Sequence, residues 1–159
     1  MVPPRAREVE AVHGDQSSVQ FDFEQALRLA RRLWALADQV DRTMRSRQEI
    51  TTAARKDFTG AYADQFAQRV EEEVTGGPGV AQALRRDAEV CADAWKQAMD
   101  EENRHLYGRH VDHLKKQRSM LESLWDSAFG YRGFPPEPHP VPVPQPPMFL
   151  PTADKVSYP

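Results

Sequence analysis

Apolar residues recur every three or four positions through the first third of the chain, and this spacing limits the fold more than any other feature. The run begins at Phe23 and ends near Met44, with arginines and aspartates off its apolar side. Its members are Phe23, Ala26, Leu27, Ala30, Leu33, Trp34, Ala37, Val40 and Met44. A period of 3.6 residues places them on one side of an α-helix. We predict an amphipathic helix that is capped by Asp22 together with Gln25 and runs to about residue 56.

Three residues that favour a helix poorly follow this run. Phe58, Thr59 and Gly60 come just before a second stretch of helical spacing that includes Tyr62 and Phe66. Glycine supplies backbone freedom, and an aromatic ring can anchor a tight reversal. We therefore predict a turn at Phe58-Thr59-Gly60 and two helices that pack as an antiparallel hairpin.

A Gly-Gly-Pro-Gly sequence at 76–79 predicts the end of the second helix, because glycine and proline both interrupt helices. A third apolar stripe then begins at Val80 and stops near Gly130. It includes Leu84, Cys91, Trp95, Met99, Leu114, Leu121 and Trp125. With only 8 glycines among 159 residues and 28% charged residues, the composition is typical of helical proteins. The predicted fold class is all-α, an antiparallel helical hairpin or bundle with long amphipathic helices.

Proline dominates the C-terminal part of the chain. Residues 134–151 hold nine of the 13 prolines, which favours an extended polyproline II conformation. We predict a tail outside the globule, docked at most through Phe149 and Leu150. Its Pro-X-X-Pro sequences at 135–138 and 144–147 suit either binding to an aromatic groove or a spacer.

The predicted organisation has three parts, and the bulk composition narrows the function. A polar arm covers residues 1–20, the helical domain covers 21–130, and the proline-rich tail covers 131–159. The net charge of −3 does not suit a nucleic-acid-binding protein, and no 18 apolar residues run together. We therefore predict no nucleic-acid partner and no membrane insertion. The N-terminus has no apolar signal segment, which predicts a cytoplasmic protein or one secreted without a cleaved signal peptide.

Candidate chemical groups are few. Glu102 and His105 form a Glu-X-X-His pair, and His110 and His113 are also three residues apart. A di-iron site would need a second such pair and two more glutamates on facing helices, and we find no second pair. The single cysteine, Cys91, permits no internal disulfide and is expected to be buried. No catalytic triad or phosphate-binding loop is present in the sequence, so we predict no metal, no cofactor and no enzymatic activity.

Several of these features together resemble the WXG superfamily, the helical-hairpin proteins of ESX-type, or type VII, secretion in actinobacteria and firmicutes. The resemblance lies in "FDFEQALRLARRL" at 21–33, "FTG" at 58–60 and "AYADQF" at 61–66. It covers roughly residues 19–110. It implies a helical hairpin, association with itself or another protein into a four-helix bundle, and export without a cleaved signal.

This chain departs from the family pattern at three places. The Gly-Gly-Pro-Gly sequence at 76–79 interrupts the second arm, which is usually continuous in the family. Phe58 occupies the turn position where the family has tryptophan. The export signal Tyr-X-X-X-Asp/Glu is also missing. The residues four positions after Tyr62, Tyr107 and Tyr131 are Phe66, Val111 and Pro135. The resemblance thus implies export only together with a partner that carries the signal.

Three functional hypotheses remain at this level. The first is a WXG-type interaction protein whose partner is helical, either a second copy or a larger secreted protein. The second is an intracellular or virion structural adaptor built from the same helices, and the third is a helical metal-binding enzyme. The predicted core or interface residues are Phe23, Leu27, Trp34, Phe66, Leu84, Trp95, Leu121 and Trp125. The third stripe is longer than the first helix can cover, which leaves the part from Leu114 to Trp125 without an arm of its own. Either the chain bends near Gly108 and packs back on itself, or a partner covers this part, and we expect the partner.

Overall fold

Two α-helices make up most of the described chain. The computed structural model describes the backbone of residues 17–125 and 134–159, and the side chains of the same residues except 119–125. Helix α1 spans Phe23–Asp57 and helix α2 spans Ala61–Trp125. No β-strand occurs in these ranges, so the predicted all-α fold is confirmed for them.

Contacts between α1 and the first half of α2 run in opposite order along the two helices. Arg85 of α2 binds Asp38 and Asp41 of α1, with nitrogen-to-oxygen distances of 2.8 and 2.6 Å. Closer to the turn, Arg47 of α1 forms an ion pair with Glu73 of α2. Residues later in α1 thus meet residues earlier in α2, which is the arrangement of an antiparallel hairpin.

Residues 58–60 connect the two helices. Gly60 has a φ of +110°, a backbone conformation that glycine adopts at little cost. Its carbonyl accepts hydrogen bonds from the N–H groups of Ala63 (2.9 Å) and Asp64 (3.1 Å), which begin α2. The Phe58 ring, however, is 53% exposed and does not anchor the turn. Because the turn lies past the end of both helices, neither one covers the ring.

The prediction that Gly-Gly-Pro-Gly at 76–79 ends a helix is wrong, and the described residues from Val80 to Trp125 belong to α2 and not to a separate helix. Helix α2 continues through Pro78 without interruption. The proline removes an N–H that would reach the carbonyl of Val74, at a cost of about 3 kcal/mol. Packing against α1 offsets this loss, since Gly77 is buried directly against the Met44 side chain.

The chain divides into two compact units. The first, here called the hairpin unit, contains Glu24–Trp95 and Val143–Pro151. The described part of the second, here called the terminal unit, contains residues 17–23, 96–125, 134–142 and 152–159. The proline-rich residues therefore belong to both units.

Small side chains form most of the contact between the helices of the hairpin unit. Its buried apolar residues are Leu27, Ala30, Ala37, Ala63, Ala67, Ala81, Ala88, Ala92, Trp95 and Phe149. Tyr62 and Phe66, which the apolar spacing predicts on the packed side, are 80% and 48% exposed. Alanines admit a neighbouring helix at short distance, whereas two aromatic rings at the same place would hold it away.

Residues 134–159 contain no helix or strand, yet they are packed against the rest of the chain. Val141, Pro144 and Phe149 are buried, while Leu150 is exposed. The expectation of a tail outside the globule is therefore wrong, although Phe149 docks as anticipated. The segment also bends in a turn at 146–148, so it is not a uniformly extended polyproline helix.

Candidate interaction site

An apolar stripe lies on the outer side of α1. Leu29, Leu36 and Ile50 are separated by seven and fourteen residues, so they share one side of the helix. Leu36 is 46% exposed and Ile50 is 62% exposed. The buried side of α1, which contains Leu27 and Ala30, faces a different direction. We call Leu29, Leu36 and Ile50 the outer stripe.

Helix α2 also exposes large apolar side chains within the hairpin unit. Tyr62, Phe66 and Val80 lie four and fourteen residues apart, which again corresponds to one side of a helix. This side is next to the alanines that face α1. Single exposed apolar residues are ordinary, but rows of them on both helices are typical of surfaces that bind another protein.

An ionic cluster joins the two helices at the side of Trp34. The Arg85 guanidinium binds Asp38 and Asp41, and its central carbon lies 5.5 Å from the Trp34 ring centroid. The hydrogen bonds that Arg85 donates to Asp41 and Asp38 raise its pKa above the usual value, although burial opposes the shift. The side chain therefore stays charged, and the cluster orients the Trp34 ring.

The other contact of Trp34 is with the proline-rich segment. The Phe149 ring meets the Trp34 ring edge-on, with centroids 5.7 Å apart, and Phe149 is fully buried. Arg31, one helical turn before Trp34, donates a hydrogen bond of 3.1 Å to the Phe149 carbonyl oxygen and a longer one of 3.5 Å to that of Met148. We call Arg31 and Trp34 the Phe149 seat.

In the terminal unit, polar side chains of α2 bind the backbone of non-helical segments. Asp100 accepts the Val141 N–H at 2.8 Å, and Asn103 accepts the Val156 N–H at 2.9 Å. Glu102, which is buried, accepts the N–H of Val19 from the N-terminal side at 2.7 Å. These bonds satisfy amides that no helix or sheet would satisfy.

Nearby positive charges stabilise the carboxylates of Asp100 and Glu102. Burial alone would raise the pKa of Asp100, but hydrogen bonds from Lys96 and from the Val141 N–H lower it below its usual value. Glu102 lies 3.7 Å from the Lys155 nitrogen and 3.9 Å from an Arg109 nitrogen. Cations and N–H donors at these positions stabilise a buried carboxylate.

Aromatic contacts hold the last residues of the chain. Tyr158 stacks on the His110 ring with centroids 4.5 Å apart, and it also contacts Tyr107. The Tyr107 hydroxyl donates a hydrogen bond of 2.9 Å to the Pro135 carbonyl. Burial, followed by the charge of Glu137 and the nearby Tyr158, raises the pKa of Tyr107, so the hydroxyl keeps its proton.

In the histidine-containing segment of α2, Glu102, His105 and His113 contact other groups of the protein. Glu102 binds the amide and cations described above, while His105 contacts Glu101 at 2.9 Å and the Ser17 carbonyl at 2.6 Å. His113 contacts Gln117 instead of His110. Across the described ranges, no three His, Cys, Asp or Glu side chains form a group that could hold a metal ion.

The residues predicted as core or interface have different environments. Leu27 and Trp95 are buried, whereas Phe23, Trp34 and Leu84 are half-buried. The side chains of Leu121 and Trp125 lie outside the described residues. Phe66, as noted, is exposed.

Sequence spacing did not identify the polar residues that bind backbone, and it misjudged Cys91. Asp100 and Asn103 look like ordinary polar residues of a helix, although their position within an otherwise apolar stripe is a signal. Cys91 is half-buried instead of buried. Burial and the charge of Asp87 raise the pKa of its thiol, which disfavours the reactive thiolate.

Comparisons of the chain with protein families, curated proteins and solved structures found no match. None of the helices described here has a stretch long and apolar enough to cross a membrane.

Proposed function

We propose that this chain is a non-enzymatic helical interaction protein of the WXG kind, resembling type VII secretion substrates and their partners. It acts by dimerisation or by pairing with a larger secreted protein. In either case the hairpin contributes two helices to a four-helix bundle, and the partner contributes the other two.

The outer stripe is the observation that carries this proposal. Leu29, Leu36 and Ile50 follow the helical period over six turns, and all three are exposed in the isolated chain. Each large apolar side chain moved out of water contributes about 1.5–3 kcal/mol. A partner helix with its own apolar row would cover this side, as in ordinary bundles.

The resemblance to the WXG superfamily and the position of the turn also support the proposal. The Phe58-Thr59-Gly60 turn separates two helices at the position where the family has its Trp-X-Gly turn. The exposed Tyr62 and Phe66 of α2 lie next to that turn and offer aromatic contacts to a partner. Because the family export signal is missing from the sequence, a partner that carries it would take this chain along.

Sedimentation of the purified chain at micromolar concentration tests the homodimer. We expect a dimer, and we expect Leu36→Glu to weaken it by more than about tenfold, since a charge buried at a bundle interface costs more than 1.4 kcal/mol. Val90→Glu is the matched control. Val90 is an exposed apolar residue (64%, against 46% for Leu36) on the side of α2 opposite its alanines.

Two results would contradict the proposal in different ways. A chain that stays monomeric at 100 times that concentration excludes self-association, and pairing then requires a heterologous helical protein. Co-expression with the products of neighbouring genes tests that second form. If no helical neighbour forms a complex that Leu36→Glu weakens, the interaction proposal fails.

A further inference from the structure

Residues 143–151 form a loop that maintains its own conformation. The Phe149 N–H donates a 2.9 Å hydrogen bond to the Gln145 carbonyl, and the Gln145 side chain donates one of 2.9 Å to the Val143 carbonyl. At the base of the loop, the Thr152 hydroxyl donates to the Pro142 carbonyl. These bonds lie within the segment and its immediate flanks. The loop is therefore preorganised, which lowers the entropy lost when it docks.

The contacts between this loop and the Phe149 seat are few and specific. They consist of the edge-on ring contact with Trp34 and the hydrogen bonds from Arg31 to two backbone carbonyls. Pro144 is buried five residues before Phe149, so the loop has two apolar anchors on either side of its turn. A proline and an aromatic ring held by backbone contacts are what an aromatic peptide-binding groove recognises.

The docked loop also carries backbone strain. Phe149 has a φ of +41°, a region that residues with a side chain seldom adopt. Strain of this kind persists only where surrounding contacts compensate for it, and it often occurs in ligand clamps and switch regions. The strained residue is the one whose ring and carbonyl contact the Phe149 seat.

We propose that the Phe149 seat is a peptide-docking site whose second occupant is the same loop from another copy of this chain. The loop that now fills the seat defines the ligand: a turn-forming peptide with a proline and, five residues later, a phenylalanine. A second copy carries this peptide and can reproduce its contacts with Trp34 and Arg31 once the bonds that hold its flanks, such as that from Val141 to Asp100, are released. This proposal is independent of the outer stripe.

Effective concentration explains why the chain holds its own loop at low concentration. A tethered segment competes at roughly millimolar effective concentration, so a second copy at micromolar concentration does not displace it. Exchange between copies becomes favourable where the local concentration approaches that value, or where the chain's own loop is disabled. The second condition can be created by mutation.

A complementation experiment with two full-length variants tests the proposal. The Phe149→Ala chain has an intact seat and a defective loop, whereas the Trp34→Ala chain has a free intact loop and a defective seat. Both carry Leu36→Glu, so that association through the outer stripe does not contribute. We expect the mixture to form a one-to-one complex in sedimentation at least about tenfold more tightly than either variant associates with itself.

Controls make the outcome decisive. Circular dichroism checks that each variant retains its helices. If Trp34→Ala does not, Arg31→Ala replaces it, because Arg31 binds only loop carbonyls in the contacts described above.

A labelled peptide of residues 143–151 should bind the Phe149→Ala chain and bind the wild-type chain at least about tenfold more weakly. A peptide that binds without complementation would show that a second copy does not present its loop, and a peptide that does not bind would show that the seat is no docking site. Either result overturns the proposal.

Discussion

Helix α2 packs in two different ways along its length. In the hairpin unit, its buried side consists mostly of alanine, from Ala63 to Ala92. In the terminal unit, its buried side consists of large and polar residues, among them Met99, Glu102, Asn103, Tyr107 and Val111. One continuous helix thus carries a smooth surface in one unit and a surface of long side chains in the other.

The difference follows from what each part of the helix must contact. Another helix satisfies its own backbone hydrogen bonds, so α1 needs only close approach, which alanine provides. Extended segments have unsatisfied N–H groups, and burying these without a partner costs about 1–3 kcal/mol each. Asp100, Glu102 and Asn103 supply the missing acceptors, so the terminal unit depends on specific polar residues.

Removing the large buried residue of the hairpin unit should have the largest effect. Trp95→Ala should lower the free energy of unfolding by about 3–5 kcal/mol in a urea titration, because it removes one of the largest fully buried side chains and leaves a cavity. Phe58→Ala is the aromatic control and should cost less than about 1 kcal/mol, since its ring is exposed. Equal losses for the two variants would mean that the packing of the hairpin unit does not depend on the buried Trp95 side chain.

Glu102→Ala should have the next largest effect and should act on the terminal unit. We expect a loss of about 2–4 kcal/mol, because the change leaves the Val19 N–H without this acceptor and removes the buried carboxylate near Arg109 and Lys155. Amide hydrogen exchange of Val19 should accelerate at the same time. Glu101→Ala, the neighbouring and more exposed carboxylate, should cost less than about 1 kcal/mol. If the amide hydrogen exchange of Val19 is unchanged in Glu102→Ala, the hydrogen bond to Glu102 does not hold this segment.

Helical spacing alone was enough to predict α1 and the break before α2, but not which side of α2 is buried. Tyr62 and Phe66 have the same period as Ala63 and Ala67, and they are more hydrophobic. Which of these two pairs faces α1 depends on how closely the helices approach each other. Only small side chains, such as those of Ala63 and Ala67, permit a short distance between the helix axes. That choice depends on both helices at once, so a period read along one helix cannot reveal it.

The docking of the proline-rich residues could not be predicted for a related reason. The bond between Asp100 and the Val141 N–H joins residues 41 positions apart, and Trp34 meets Phe149 across more than half of the chain. Proline content predicts the absence of helix, which is correct, but it does not predict whether a partner within the chain exists. The sequence marked Phe149 and Leu150 as docking residues, and only Phe149 is buried, so a large apolar residue among prolines was a partial signal.

The smallest expected effect comes from two neighbouring glycines of the hairpin unit. A Cβ at Gly76 would have no atom within 4 Å, so Gly76→Ala should stabilise the protein by up to about 1 kcal/mol through helix propensity. A Cβ at Gly77 would lie 2.5 Å from Met44 Cγ, so Gly77→Ala should instead destabilise it by about 1 kcal/mol.

Urea titrations of both variants, and of Gly77→Ala combined with Met44→Ala, measure the coupling between Gly77 and Met44. We expect the double variant to be more stable than the sum of the single effects predicts, because a shorter side chain relieves the contact. If Gly77→Ala stabilises the protein as much as Gly76→Ala does, Met44 moves aside freely, and close approach of the helices is not the reason for the glycine.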